Sequence, residues 1–443
     1  MTGGSLTLAG RTGFHGVAVW LWGFMALALP FSTALTLIFS TLATIFSVPI
    51  VFRKDLVTVW QSKIAILCIV LFLWLSFSAF WGVAPPDEAL EGISKYRKLL
   101  FLALIGLSVA ASSEAPLLLL RFFFVGCLIT TLGSIMIRFG IFEWLWGPPN
   151  HQGGWAFWRD VNKHMFFIGG PSNPTFGRNH ITQGAFGVFG GCFAAGWAWK
   201  ILRKPKPQIS IGITLIFLTF FFMVSIFSMQ GRSGYLLAVC GSVIFNVICI
   251  LKLNGWKRYL PGTLTILGFL FLAFTSPQFL PRTEAALNET FEAIHDGSRE
   301  GQGVRIRFWE AGLNLSAARP ITGYGVGGYA QAYSELSDEP LHLRESRAQP
   351  HSEYVILLVQ GGLPAVLLYF GILFLLIRAS YRYFLRVDDP SLLAVIILFA
   401  LYSAFNSSIW DLAEGHFFSL IGGVLLAGAL KPMFDSPNSK KTN

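Results

Sequence analysis

Long apolar runs separated by polar connections recur along nearly the whole sequence. A helix needs about 20 apolar residues to cross a hydrocarbon layer, where it must satisfy its own backbone hydrogen bonds. The pattern predicts about twelve spans, and ten to twelve is the range that length alone supports. The predicted spans are Gly16 to Pro30, Thr33 to Phe52, Ile64 to Trp81, Leu99 to Ala111, Leu117 to Phe139, Ile181 to Trp199, Ile209 to Ser228, Tyr235 to Leu251, Leu260 to Thr275, Tyr354 to Ile377, Leu392 to Phe405 and Phe417 to Leu430.

Basic residues in the connections favour the count of twelve. Twelve spans with both termini cytoplasmic place every short basic segment inside, as the positive-inside bias requires. These segments are 53–63, 200–206, 252–258, 378–386 and the tail 431–441. The predicted fold class is therefore all-α, a polytopic transmembrane helical bundle.

Two long connections fall on the predicted outer, periplasmic side. Residues 1–275 hold nine spans and a loop near 141–180, residues 276–350 form a large loop, residues 351–431 hold three spans, and residues 432–443 form a cytoplasmic tail. The large loop is too polar to enter lipid, and Val304 to Ala318 has a helical pattern that ends before Pro320. We predict a mostly helical periplasmic subdomain there.

Composition agrees with a lipid environment. Of the 443 residues, 54% are hydrophobic and 13% are charged, which is too apolar for a soluble domain of this length. The net charge of +10 is attributed to cytoplasmic flanks that face anionic membrane lipids, so no nucleic-acid partner is predicted. All five cysteines lie in apolar runs, which favours packing over disulfides or metal clusters.

Arginines on the outer side oppose the charge bias and need a reason. Arg232 stands in the very short connection SMQGRSG at 228–234, before a helix whose amide groups would face a nearby anion. Arg178 lies just before the sixth span and offers another cation. The alternative for both is an arginine that reaches toward the interface from a span end.

Arg305 and Arg307 are expected to have different roles. On a helix, Arg305 shares one face with Trp309 and Gly312, whereas Arg307 points elsewhere and can pair with Glu310. A cation in a first helical turn opposes the helix dipole unless an anion is present. We therefore favour Arg305 as a ligand of a phosphate group.

His351 precedes the predicted tenth span in the segment QPHSEY at 349–354. The helix start beside it should lower the pKa of His351 and favour the neutral base. A structural, hydrogen-bonding histidine is the alternative. His180, His295 and His342 match no metal-ligand spacing, and no Asp-x-Asp pair occurs on the outer side, so no metal site is predicted.

The glycine-rich segment GYGVGG at 323–328 is no dinucleotide fingerprint, because no strand precedes it and no βαβ unit surrounds it. We predict a flexible turn that leads into a helix near Tyr329.

These patterns together resemble the O-antigen ligase and polymerase superfamily of bacterial inner-membrane proteins. The resemblance rests on RSG at 232–234, on Arg305 and Trp309 followed by Pro320 and GYGVG at 323–327, and on HSEY at 351–354 followed by GGLP at 361–364. Their order and spacing agree with the family over roughly the second half of the chain. The first half matches only in hydropathy.

The resemblance implies an O-antigen ligase, a glycosyltransferase of lipopolysaccharide biosynthesis that joins undecaprenyl-diphosphate-linked O-antigen to lipid A-core oligosaccharide. It implies that Arg232 and Arg305, with Arg178 as a further candidate, bind the donor diphosphate, and that His351 is the catalytic residue at the acceptor hydroxyl. No cofactor, metal or ATP is expected, and no partner protein is identifiable. O-antigen polymerase and protein O-oligosaccharyltransferase are the alternatives within the superfamily.

Two more distant alternatives remain. A lipid-glycan transporter would carry charged or broken-helix sites near the bilayer centre. A non-enzymatic scaffold would tolerate alanine at Arg232, Arg305 and His351.

Overall fold

The computed structural model describes residues 13–52, 61–110, 112, 114–141, 169–170, 172–253, 255, 260–276, 279–295, 302–336 and 349–430. These residues form sixteen α-helices, and a turn of 3-10 helix, Ser78–Phe80, extends the third. The helices are α1 Phe14–Ala28, α2 Thr33–Val51, α3 Lys63–Phe77, α4 Pro86–Tyr96, α5 Lys98–Ala110, α6 Ala115–Arg138, α7 His180–Leu202, α8 Ile209–Ser228, α9 Arg232–Lys252, α10 Leu260–Thr275, α11 Phe279–His295, α12 Gln302–Ala318, α13 Tyr329–Leu336, α14 Glu353–Val387, α15 Ser391–Tyr402 and α16 Leu412–Leu430.

Each of the predicted spans coincides with one of these helices, and α8 and α10 have the predicted bounds. Within the described residues, seven helices are long and apolar enough to cross a membrane: α2, α3 with its 3-10 turn, α6, α7, α8, α9 and α14. The apolar helices α1 and α15 are shorter, and in α16 the apolar segment Leu412–Gly428 is shorter as well. The all-α, multi-pass fold is confirmed, while the number of spans stays a prediction.

Helices also form most of the described part of segment 276–350. Helix α12 ends at Ala318, as predicted, and α11 and α13 flank it. The segment 378–386, predicted as a connection, continues α14 as a helix instead. Its basic residues do not interrupt helical geometry, because arginine is a good helix former. The helix ends at Asp388, which takes a left-handed conformation with φ 53°.

Aromatic rings fill the centre of the bundle. The rings of Phe189 and Phe417 stack with centroids 4.7 Å apart, and Phe123 lies 4.7 Å from Phe417 on another side. Other large apolar side chains point outward, among them Phe217 and Phe274, which are 61% and 76% exposed. Because these exposed side chains lie on apolar helices, we expect them to contact lipid.

Helices α5 and α16 pack at close range through small residues. A Cβ atom at Gly422 would lie 2.2 Å from a methyl carbon of Leu102, and one at Gly106 would lie 2.7 Å from a methyl carbon of Leu426. Small residues permit this approach between apolar helices. The connection between α15 and α16 lies against the start of α14, where the amide of Glu353 donates to the carbonyl of Ser403 at 2.8 Å.

A kink in α14 docks the glycine-rich segment. Gly362 has φ 67° and ψ −170°, so the helix is interrupted there. The carbonyls of Val359 and Gln360 accept hydrogen bonds from the amides of Tyr324 (2.7 Å) and Gly325 (2.9 Å). The predicted turn into α13 is confirmed, but it is held against α14 by backbone hydrogen bonds.

Candidate functional site

The starts of three helices lie close together at the predicted outer end of the bundle. A Cβ atom at Gly231, just before α9, would lie 2.7 Å from the carbonyl oxygen of His180, the first residue of α7. Arg305, in the first turn of α12, acts electrostatically on His180, and Arg232 acts on Arg305. Helix N-termini carry partial positive charge, so this region favours an anion.

Arg232 begins α9 and makes a bidentate ion pair with a carboxylate. Its Nη1 and Nη2 atoms donate to Oε2 and Oε1 of Glu289 in α11, both at 2.6 Å. The two side chains are 24% and 27% exposed. Both Nη atoms of Arg232, which was predicted to bind phosphate, are thus already bonded to the carboxylate oxygens of Glu289.

Arg305 contrasts with Arg232. It is half-buried, yet in the part of the chain that the structure describes it makes no hydrogen bond or ion pair. Burial lowers the pKa of Arg305, Tyr402 opposes that shift, and the positive charge of Arg232 adds to it. Arginine nevertheless stays charged at neutral pH. Arg305 is therefore a desolvated cation whose donors are available to a ligand.

The predicted shared face of α12 is confirmed by its packing against the start of α14. The indole Nε1 of Trp309 donates to the carbonyl of Pro350 at 3.1 Å. A Cβ atom at Gly312 would lie 2.3 Å from a methyl carbon of Val355. Because Arg305 lies on the same face of α12, these contacts place it on the side that faces His351.

His351 lies in the link before α14 in a left-handed conformation with φ 52°, which is uncommon for a residue other than glycine. Ser352 follows as the helix cap, and its Oγ accepts from the amide of Val355 at 3.4 Å. The imidazole is half-buried beside Phe308, with ring centroids 6.4 Å apart. Such strain persists only where the surroundings impose it, often at functional sites.

The electrostatic surroundings of His351 favour the neutral base. Burial lowers the pKa of His351 below its ordinary value, and the positive charge of Arg305 lowers it further. The predicted direction is confirmed, with burial and Arg305 as its causes. Among the described residues, the ring makes no hydrogen bond. The structure thus brings together Arg232, Arg305 and His351.

The guanidinium of Arg178 makes its hydrogen bonds within the protein. Its Nε and Nη2 atoms donate to the carbonyl of Leu29 at 3.1 and 3.0 Å, and its Nη1 atom donates to the hydroxyl of Thr33. The side chain is buried, and burial lowers the pKa of Arg178 to about 10. These bonds hold the turn between α1 and α2, which favours a structural role for Arg178 over the predicted contact with diphosphate.

Sequence reasoning missed two carboxylates at this end of the bundle. One is Glu289, on Arg232. The other is Glu414, a buried residue whose Oε1 accepts from the hydroxyls of Thr182 (2.7 Å) and Tyr402 (3.2 Å). Tyr402 also interacts electrostatically with Arg305, so its hydroxyl links Glu414 to the site. The signal that could have indicated it was an acidic residue just before the predicted span Phe417 to Leu430.

A buried polar network supports the start of α14. The carboxylate of Glu353 accepts from the amides of Ile409 (2.7 Å) and Trp410 (3.2 Å), so it points away from His351. Lys98 donates to the carbonyls of Trp410 (2.9 Å) and Asp411 (2.7 Å). These bonds fix the segment before α16 and, through it, the backbone that carries His351.

Asp411 links this network to the residues beside His351. Its Oδ1 accepts from Nε2 of Gln349 at 3.2 Å. Burial, with a contribution from Glu414, raises the pKa of Asp411 to about 7. In the described part of the chain, no three His, Cys, Asp or Glu side chains are grouped so that they could hold a metal ion.

Comparison with known families places a match on the same part of the chain. Residues 214–370 match the family described as O-antigen ligase. The matched segment runs from α8 into α14 and contains Arg232, Arg305 and His351, whereas Arg178 lies outside it. The resemblance seen in the sequence is confirmed over this segment, consistent with a member of the O-antigen ligase and polymerase superfamily. No curated protein matches the chain.

Proposed function

We propose that this protein is an O-antigen ligase. It transfers O-antigen polysaccharide from undecaprenyl diphosphate to lipid A-core oligosaccharide on the periplasmic face of the bacterial inner membrane. The observation that carries the proposal is the pairing of Arg305, a half-buried cation with no partner among the described residues, with the neutral base His351 inside the matched segment.

The donor diphosphate suits the two arginines. Arginine binds phosphate oxygens through short charge-assisted hydrogen bonds, often two at once. The N–H groups of Arg305 make no hydrogen bond among the described residues. Arg232 is close enough that its positive charge lowers the pKa of Arg305. As the bond to the sugar breaks, negative charge grows on the departing diphosphate, so these contacts strengthen in the transition state.

The acceptor hydroxyl requires a base, and His351 supplies one. The hydroxyl oxygen attacks the anomeric carbon of the donor sugar while its proton passes to the imidazole. The bond between that carbon and the diphosphate oxygen breaks, and undecaprenyl diphosphate leaves with the electron pair. Direct displacement of this kind inverts the anomeric configuration.

Charge balance favours this assignment of roles. A half-buried imidazolium beside Arg305 is unfavourable in the free protein, so burial and the charge of Arg305 both lower the pKa of His351. The diphosphate brings negative charge to the same place, so proton transfer to His351 becomes easier when donor is bound. The donor already carries an activated leaving group, and the proposed reaction therefore requires neither ATP nor a metal ion.

A reconstituted reaction tests the function. Purified protein is mixed with undecaprenyl-diphosphate-linked O-antigen and lipopolysaccharide that lacks O-antigen, without ATP or added metal, and products are separated on a gel. We expect a ladder with the wild-type protein. His351→Ala should lower the rate by about a hundredfold or more, the contribution of a general base.

His295→Ala is the matched control, because His295 is an exposed histidine at the end of α11. It should leave the ladder unchanged. Absence of a wild-type ladder, or an undiminished ladder with His351→Ala, would refute the proposal. Growth of the glycan on undecaprenyl diphosphate in place of the ladder would indicate a polymerase.

A further inference from the structure

The carboxylate of Glu289 lies where a ligand of Arg232 would bind. Both of its oxygens accept from the guanidinium at 2.6 Å, in the fork arrangement that arginine also uses for two phosphate oxygens. The same nitrogen atoms cannot make both sets of bonds at full strength. A phosphate that binds Arg232 through Nη1 and Nη2 must therefore displace Glu289.

We propose that Glu289 holds the phosphate-binding position of Arg232 in the donor-free protein and that the donor diphosphate replaces it there. This inference rests on the proposed function. It makes Glu289 a determinant of donor affinity, because binding includes the loss of an ion pair that the free protein already has.

The charges of the site explain why a carboxylate is useful in that position. Arg232 and Arg305 interact unfavourably with each other when no anion is present. Glu289 supplies a negative charge that offsets this repulsion in the free protein. The diphosphate supplies more negative charge, and it can reach Arg305, which has no partner among the described residues.

Helix α11 is anchored by groups other than Glu289, so its fold does not depend on the ion pair. Phe279, its first residue, packs on Phe227 and Tyr235 with ring centroids 5.2 and 5.3 Å away. Arg282 donates to Oε1 of Gln230 at 2.6 Å. Glu289 lies beyond these contacts along the helix, so displacement of its carboxylate leaves the contacts at the start of α11 intact.

The exposure of the ion pair is consistent with exchange. Arg232 and Glu289 are 24% and 27% exposed, so water can replace their contact. A pair with such access to solvent contributes little to stability. It is strong enough to reduce donor affinity measurably and weak enough for a diphosphate to displace.

Binding of undecaprenyl diphosphate in detergent micelles, measured by calorimetry on the full-length purified protein, tests the exchange. Glu289→Gln should lower the dissociation constant by roughly threefold to fivefold, the range that a partly exposed ion pair contributes. Arg232→Gln should raise it by about tenfold or more, because a bidentate charge-assisted contact is lost. Glu292→Gln removes the same charge from an exposed position of the same helix and should have no effect.

Each outcome separates the exchange from the proposed function. Weaker binding with Glu289→Gln would mean that Glu289 orients Arg232 for the donor, and an unchanged dissociation constant would mean that the two groups do not compete. If Arg232→Gln still weakens binding, either result contradicts the exchange at Glu289 but leaves the proposed donor site in place. If Arg232→Gln and Arg305→Gln both bind like wild type, the proposed function fails at the donor site. Thermal melting of each variant confirms that it is folded.

Discussion

At the scale of single residues, burial and the charge on Arg305 together favour the neutral form of His351. Burial and that charge both lower the pKa of His351 below its ordinary value near 6.5. The acidic limb of kcat/KM reports the base of the free enzyme. For the wild-type protein, we expect this limb to lie below pH 6.5.

Removal of the positive charge of Arg305 should shift the acidic limb of kcat/KM to higher pH. In Arg305→Gln, the imidazolium no longer faces a neighbouring cation, so the pKa of His351 rises and activity is lost at a higher pH than in wild type. Arg305→Lys keeps the charge and should keep the position of the limb. Both variants are compared by profiles normalised to their own maxima. A profile for Arg305→Gln that overlays the wild-type profile would contradict this role of Arg305.

The site residues differ in how far the sequence could indicate them. Arg305 and His351 stand in short patterns that the family resemblance singles out, and helix periodicity separates Arg305 from Arg307. Glu289 does not, because 57 residues separate it from Arg232 and its helix carries other glutamates in similar surroundings. Nor does the sequence indicate that Arg178 donates to the carbonyl of Leu29, because the two residues lie 149 positions apart.

At the scale of elements, the kink of α14 joins the bundle to the segment that carries Arg305. A Cβ atom at Gly362 would lie 2.2 Å from the carbonyl oxygen of Ile321, and its φ and ψ angles belong to a region that only glycine adopts readily. Gly362→Ala should therefore lower the free energy of unfolding by about 1–3 kcal/mol, and by more if the docked turn is displaced.

Thermal unfolding in detergent measures this effect, with Gly268→Ala as its control. Gly268 lies within α10, and a Cβ atom there would meet nothing within 4 Å. Its substitution should be neutral or slightly stabilising, because alanine favours helix. A melting temperature for Gly362→Ala equal to that of Gly268→Ala would show that the kink is not required by the docked segment.

Hydropathy was sufficient for the helices but not for their interruptions. The predicted spans follow from the long apolar runs, and the bounds of α8 and α10 needed no correction. The kink at Gly362 could not be predicted, because glycine and proline are tolerated within membrane helices where neighbouring groups satisfy the freed backbone. Here the neighbours are the amides of Tyr324 and Gly325, which belong to another part of the chain.

At the scale of the whole molecule, the first half of the chain completes a site whose candidate residues lie in the second half. His180 begins α7 against the link before α9, and Lys98 of α5 holds the backbone at Trp410 and Asp411. Neither residue lies in the matched segment 214–370. The sequence order of the motifs indicated a common outer face, but only packing of the full bundle brings Arg232, Arg305 and His351 together.

The central claim is that this site transfers a glycan from a lipid diphosphate to an acceptor hydroxyl. A single-turnover reaction tests it most directly, with donor that carries radioactive phosphorus in the diphosphate and tritium in the glycan. Purified protein in excess over donor is mixed with lipopolysaccharide that lacks O-antigen, and released undecaprenyl diphosphate and extended lipopolysaccharide are counted together. The account predicts one released lipid diphosphate for each extended acceptor, and loss of both products in His351→Ala. Release without extension, or equal release in His351→Ala, would contradict it.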